Sequence, residues 1–241
     1  MLEKTRGIFL HAVKYSETSL IATIYTETYG RQSFMINGVR SKTSAVKAAV
    51  FQPLYLLELE IYFKAGREIH RLKNARIAYP YNTVPFDIRK SSQVMFLAEI
   101  LYKCLREEES NRELFDFIYH SLTFLDLSDS GINNFHIWFL FKLTRFLGFN
   151  PSADDLQISN FFDLQSAHFV SREPVHNQFT DKQSTVLFSR LFEVDFSSIE
   201  TLNYTQNERK LMLDKLLEFY RIHFDNLGEI KSLTIIREVL S

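Results

Sequence analysis

Hydrophobic and polar positions change their period once along the chain. Up to residue 79 the period is two. Ile8, Leu10 and Ala12 alternate with Phe9, His11 and Val13, and Leu20–Tyr25 is short, β-branched and aromatic. Thr26 to Gly30 reads as a hairpin turn whose glycine supplies a positive φ, with Arg31 to Val39 returning. From Leu54 to Phe63, Leu57, Leu59 and Ile61 take one face and Glu58, Glu60 and Tyr62 the other. Gly66 turns the chain, and Glu68–Tyr79 runs back with Ile69, Arg71 and Lys73 in period two. Five strands in so short a stretch predict a small barrel of the OB type. Between the third and fourth strands, 38–50 is basic and weakly patterned, which predicts a loop with at most a helical turn.

Pro80 and Pro85 mark the change, and helical spacing follows. Val94, Leu97, Ile100, Leu101, Cys104 and Leu105 recur at i, i+3, i+4. Ser110 with Glu113 reads as a capping box opening a second helix. Asn134–Phe149 is apolar nearly all round, the mark of a central bundle helix, and ends at Gly148 and Pro151. Residues 152–180 are irregular, with a small hairpin at 160–170. Asp181–Val194, a helix opened by Thr205 and Glu208 and closed by Gly228, and Glu229–Leu240 complete the pattern. The expected fold is α+β: a five-stranded OB barrel at 1–79, then a helical domain at 80–241 with a hairpin insertion near 152–180.

Composition sharpens this. Gly and Pro total 12 of 241 residues, about 5% against roughly 12% in average usage, so long helices are favoured over a turn-rich all-β chain. One cysteine, Cys104, excludes an internal disulfide and a cysteine-cluster zinc site. No apolar run is long enough to cross a membrane, and the charges and glycine of MLEKTRGIFLHAVKY do not suit a signal peptide, so a cytoplasmic chain is expected.

The net charge of −1 conceals an asymmetry. Residues 1–79 hold 12 Lys/Arg against 6 Asp/Glu, a net of +6, and the remaining 16 and 23 give −7. No acid falls between Glu27 and Glu58, whereas Arg31, Arg40, Lys42 and Lys47 do; Lys64, Arg67, Arg71, Lys73 and Arg76 follow. A basic barrel is suited to a polyanion, and aromatic side chains such as Tyr29 and Tyr62, beside polar neighbours, could stack bases. Phosphate contacts are assigned to Arg31, Arg40, Lys42, Lys47, Arg67, Arg71 and Lys73. Scattered surface charge and aromatic core packing are the structural alternatives.

The search for catalysis finds no phosphate-binding glycine loop, nucleophile elbow or HExxH. His168 and His176, near Asp163, come closest to a ligand set, but their spacing does not suit a closed site, and no metal is expected. Cys104 reads as a buried hydrophobe, and Glu107–Glu109 as a solvated run at a helix end. No cofactor and no small-molecule substrate are expected.

RGIFLHAVKYSETSLIATIYTETYGRQSFMINGVRSKTS (6–44) and FQPL (51–54) resemble the start of the RecO family of bacterial recombination mediators. FLFKLTRFLGFNP (139–151) and YRIHFDNLGEIKSLTIIREVL (220–240) are similar to later stretches of that family. The resemblance implies a non-enzymatic DNA repair and recombination mediator, cytoplasmic and nucleoid-associated. It would bind single- and double-stranded DNA, anneal strands and help load recombinase onto DNA coated by single-stranded-DNA-binding protein. The implied partners are that protein's acidic C-terminal tail and a RecR-type mediator. One departure stands out: many members carry a four-cysteine zinc motif after the Leu-Gly step, and 152–180 holds no cysteine. Basic residues just before that step are replaced by Ile137 and Trp138; Lys142 and Arg145, with Phe139, are the candidates for binding the partner peptide. An RNA-binding OB protein, a protein-only adaptor and a hydrolase with an unrecognised site are the other classes.

Overall fold

The computed structural model describes residues 2–37, 48–154, 156, 159–224 and 227–240. The chain folds as two compact units, Met1–Leu127 and Ser128–Ser241.

The first unit is built on a closed five-stranded barrel: β1 (Leu2–Lys14), β2 (Leu20–Thr26), β3 (Gly30–Ile36), β4 (Leu56–Tyr62) and β5 (Ile69–Ile77), in spatial order β1-β2-β3-β5-β4. This is the OB arrangement. At 13 residues β1 serves two neighbours: Leu2–Ile8 pairs with β4, and Gly7–Lys14 with β2. A Cβ at Gly7 would strike Leu59 and Ile24, so glycine is needed where the strand crosses the core. A short parallel pairing of Ser33–Met35 with Ile69–Arg71 closes the barrel. Its core holds Phe9, Ile24, Phe34, Leu57, Leu59, Ile61 and Leu72.

The alternation read for β1 slips midway. A bulge between Phe9 and His11 places Phe9 and Ala12 on the core cluster; Ile8 and Leu10 are buried outside it, on the strand that α1 (Ile88–Cys104) packs against. In the basic loop, 38–47 lies outside the described residues, and Ala48–Val50 forms one 3-10 turn.

Both α1 and α2 (Arg112–Leu127) belong to the barrel's compact unit. The wholly buried Asp126 ties them to the chain leaving β5. Its carboxylate accepts the backbone N–H groups of Asn82, Thr83 and Val84 and the Tyr79 hydroxyl, while the Lys90 ammonium donates to the Asp126 carbonyl and Thr83 Oγ1. The helix cap expected at Ser110 is one residue later: Asn111 Oδ1 accepts from the Leu114 amide, and the Ser110 hydroxyl instead donates to the Glu27 carbonyl. Asn caps as well as Ser does, so the tertiary bond decides.

In the second unit α3 (Phe135–Leu147) is buried nearly all round, as its composition requires, and packs on α5 (Gln206–His223), which also receives α4 (Lys182–Glu193). Gly148 ends α3 at φ 85°, and Thr205 and Glu208 form the capping box of α5. α6 (Leu233–Val239) is shorter than the periodicity suggested. The expected hairpin is β6 (Phe161–Asp163) with β7 (His168–Val170), extended by β8 (Phe179–Thr180). Aromatic packing holds this small sheet: Phe162 stacks on Phe188 at 4.4 Å, and Phe169 meets Phe192. No described helix is long and apolar enough to cross a membrane.

Candidate nucleic-acid interface

The basic residues of the barrel sort by what stands opposite them. On the outer face of β1, β4 and β5, strand register sets acids against cations. Arg76 lies across from Glu58 and donates to it at 2.7 Å; Lys73 reaches Glu60 at 3.3 Å, and Lys4 reaches the same carboxylate at 3.9 Å. Arg6 makes a two-pronged contact with Glu27, meets Asp116, and lies over the rings of Phe115 and Tyr119. Lys4, Arg6, Glu27, Glu58, Glu60 and Arg76 rim a groove of about 360 Å³ whose charges are mutually paired.

At the β4–β5 hairpin the picture reverses. Lys64, Arg67 and Arg71 are exposed, and none has an ion pair among the described residues. Tyr62, opposite Arg71 in register, is 44% exposed, flanked by the exposed Leu2 and Ile69. Strand period explains this: Tyr62, Arg71 and Ile69 point outward, while Ile61, Leu72 and His70 point in.

Beneath the hairpin lies an aromatic stack. Tyr29 packs face to face on Phe63 at 3.8 Å, and Phe63 on His70 at 4.6 Å. His70 is buried and fully engaged. Nε2 meets Gln32 Oε1 at 3.0 Å, Nδ1 accepts the Lys64 amide, and Gln32 donates on to the Tyr29 carbonyl. Burial first, and Arg67 second, hold the imidazole below its ordinary pKa, while Glu108 acts the other way.

The far side of the stack is acidic. The Arg31 amide donates to the Glu107 carbonyl at 3.0 Å, and a Cβ at Gly30 (φ 60°) would run into the carbonyls of Glu107 and Glu109. The Arg31 guanidinium donates to the Tyr102 and Leu105 carbonyls and stacks on the Tyr102 ring. Tied inward in this way, Arg31 holds a loop and presents no open donor fork to a phosphate. Arg40, Lys42 and Lys47 lie outside the described residues. Of the assigned cations, the structure therefore brings Arg67 and Arg71 together with Lys64, leaves Lys73 on Glu60, and places Arg31 elsewhere. Tyr62 is the more open ring, whereas one face of Tyr29 is covered by Phe63.

In the second unit Lys142 and Arg145 line one groove of about 420 Å³ with Phe141, Pro151 and Phe192. Phe139 is wholly buried and offers no surface; Phe141, two residues on, reaches the groove. Lys142 lies over the Phe141 ring, and burial lowers its pKa. His176 pairs with Asp163 at 3.4 Å and His168 bonds to the Ser166 carbonyl; among the described residues no three His, Cys, Asp or Glu side chains group as metal ligands would.

Two family models match the chain: Recombination protein O N terminal over residues 1–81, and Recombination protein O C terminal over 85–233. The chain belongs to the RecO family. Among its relatives, the DNA repair protein RecO of Phocaeicola vulgatus is 39% identical over 241 residues, covering 100% of each chain. The RecO proteins of Bacteroides fragilis and Flavobacterium psychrophilum are 37% and 35% identical, each over 99% of both chains. The chain is thus a member of a DNA repair and recombination family, with an OB barrel followed by helices. The two matches meet near residue 81–85, where the barrel ends in sequence, whereas the compact unit runs on through α2 to Leu127.

Two features of the interface escaped sequence reading. The Tyr29–Phe63–His70 stack joins the β2–β3 turn, the residue after β4 and strand β5, and has no local signature. The pairing of Glu58 and Glu60 with Arg76 and Lys73 depends on cross-strand register. Lys64, by contrast, was visible in its cluster; only its lack of an acid partner was not.

Proposed function

We propose that this protein is a non-enzymatic recombination mediator whose β4–β5 hairpin binds DNA. Phosphates are met by Lys64, Arg67 and Arg71, joined by Arg40, Lys42 and Lys47 from the basic loop, and a base stacks on Tyr62, with Tyr29 behind it. The observation that carries this reading is the contrast on one barrel: at the hairpin, cations with no ion pair among the described residues surround an open tyrosine, although the exposed Glu68 stands among them, while on the β1–β4–β5 strip acids pair with their neighbours. Binding that depends on phosphate and ring stacking suits single strands and tolerates duplex, which annealing of complementary strands requires. Loading of recombinase on protein-coated DNA, a RecR-type partner and association with the nucleoid belong to the same reading.

A salt titration of oligonucleotide binding by the full chain tests it. Affinity should fall linearly on log–log axes, with Arg71→Ala reducing the slope by about 0.7. Absence of salt-dependent binding refutes the reading and favours a protein-only adaptor. A clear preference for RNA of the same sequence favours the RNA-binding alternative.

The Lys142–Arg145 groove supports a second element, docking of the acidic tail of single-stranded-DNA-binding protein. Its floor is aromatic and its rim basic, which suits a peptide with carboxylates and a terminal aromatic residue. Lys142→Ala should weaken such a peptide in fluorescence anisotropy and leave oligonucleotide affinity unchanged.

A further inference from the structure

Across the end of the barrel, charge changes sign over a short, continuous line of contacts. On one side stand Lys64 and Arg67. The Lys64 amide bonds to His70, His70 stacks on Phe63, and Phe63 stacks on Tyr29. Tyr29 adjoins Gly30 and Arg31, and against these lies the loop joining α1 to α2, with Glu107, Glu108 and Glu109 in succession and all exposed.

That loop is held to the barrel at both ends. Arg31 grips it from below through the Tyr102 and Leu105 carbonyls and, by its own amide, the Glu107 carbonyl. The Ser110 hydroxyl bonds to the Glu27 carbonyl at 2.8 Å. Gly30 allows the close approach: its missing Cβ and its positive φ are both used here. The anchors on the loop's side are mostly main-chain carbonyls, so the three carboxylates are left to face solvent. A run held against the end of a nucleic-acid surface has a directional effect, because it repels phosphates within about 8–10 Å at ordinary ionic strength.

We infer that Glu107–Glu109 form a fixed negative boundary that ends the nucleic-acid track at the β2–β3 turn and so sets how many nucleotides one molecule occupies. This rests on the hairpin reading above. The ligand is a single-stranded polynucleotide, and the carboxylates act on it by exclusion. The strand crosses the hairpin and the open ring of Tyr62, and is turned away beyond Tyr29.

Oligo-dT probes of increasing length, labelled at one end and read by anisotropy with the full chain, test this. For the unaltered protein the affinity per site should rise with length and level off within the range of about 4–16 nucleotides found for OB folds. In Glu107→Gln/Glu108→Gln/Glu109→Gln the main-chain anchors remain. Levelling-off should move to probes several nucleotides longer, and the final affinity should rise by about three- to tenfold at low salt, fading at high salt. Asp154→Asn/Glu173→Gln/Glu193→Gln removes equal charge from the other unit and should leave the length unchanged. Glu108→Gln alone should give a smaller shift in the same direction and stands in should the triple variant not fold. An unchanged length in both loop variants overturns the boundary, as does an equal shift in the control. If the unaltered protein binds no oligonucleotide, the hairpin reading falls and this inference with it. If Arg71→Ala weakens binding while the loop variants do nothing, only the boundary falls.

Discussion

Two strips of one barrel carry similar numbers of cations and differ in what register sets beside them. On the strip along β1, β4 and β5, Lys4, Lys73 and Arg76 share Glu58 and Glu60. At the hairpin, Lys64, Arg67 and Arg71 have no ion pair among the described residues. Counting basic residues cannot distinguish these strips, since a phosphate must displace a paired carboxylate at one and not at the other. Most of the paired side chains are substantially exposed, so their bridges add little stability, typically below about 1 kcal/mol each. Their consequence is electrostatic: they neutralise the strip.

The largest effect should come from stripping the hairpin. Lys64→Ala/Arg67→Ala/Arg71→Ala should lower the salt slope by about two units and weaken single-stranded DNA on the order of a hundredfold at moderate salt. Lys4→Ala/Lys73→Ala/Arg76→Ala removes the same charge from the paired strip and should change affinity by less than about threefold. Filter binding over a salt series distinguishes the two, and equal losses would erase the contrast.

The contrast should also break in the opposite direction. Glu58→Gln with Glu60→Gln releases Arg76, Lys73 and Lys4 without deleting a cation. The once-neutral strip should then join the binding surface, raising the slope by about one unit and the affinity by roughly tenfold. If nothing is gained, the strip lies off the track for reasons of shape.

What could be read from the sequence divides along the same line. Leu57, Leu59 and Ile61 declared the inward face of β4, and the all-round apolar α3 declared its burial, because burial is written in single-strand or single-helix periods. The β1 bulge was hidden, since Ile8, Phe9 and Leu10 are all apolar and the period cannot locate an extra residue. Arg31 and Arg71 look alike in sequence. Only the fold shows that one guanidinium is enclosed by Tyr102 and Leu105 while the other faces water. The pair Lys142 and Arg145 was legible from spacing of three on a helix, but its aromatic companion is Phe141 and not Phe139, and Phe192 comes from α4. Contacts made between elements were the part that local pattern could not supply.

A smaller effect separates stability from binding. Arg6 is basic, lies on the same barrel and is held by Glu27, Asp116 and two aromatic rings. With its side chain about one-third exposed, solvent screens these contacts, and Arg6→Ala should cost about 1–2 kcal/mol in a urea titration. DNA affinity should stay within about twofold. A large loss of binding with full stability would move the track onto the paired strip.

The smallest effect reads the hairpin and the acidic loop through one imidazole. His70 is held below its ordinary pKa first by burial and then by Arg67, while Glu108 pulls it up. Arg67→Ala should therefore raise the His70 pKa, and Glu108→Gln should lower it further, both measurable by NMR titration of the ring proton. The stability consequence has a definite sign. A histidine whose folded pKa lies below its unfolded value of about 6.5 favours folding in its neutral form; that contribution is complete above about 6.5 and is lost as pH falls through the folded value. Arg67→Ala should accordingly flatten the acid side of the stability profile, and Glu108→Gln should steepen it. Opposite shifts would place both charges within electrostatic reach of the same imidazole. Shifts of one sign, or none from Glu108, would detach the acidic loop from the end of the track.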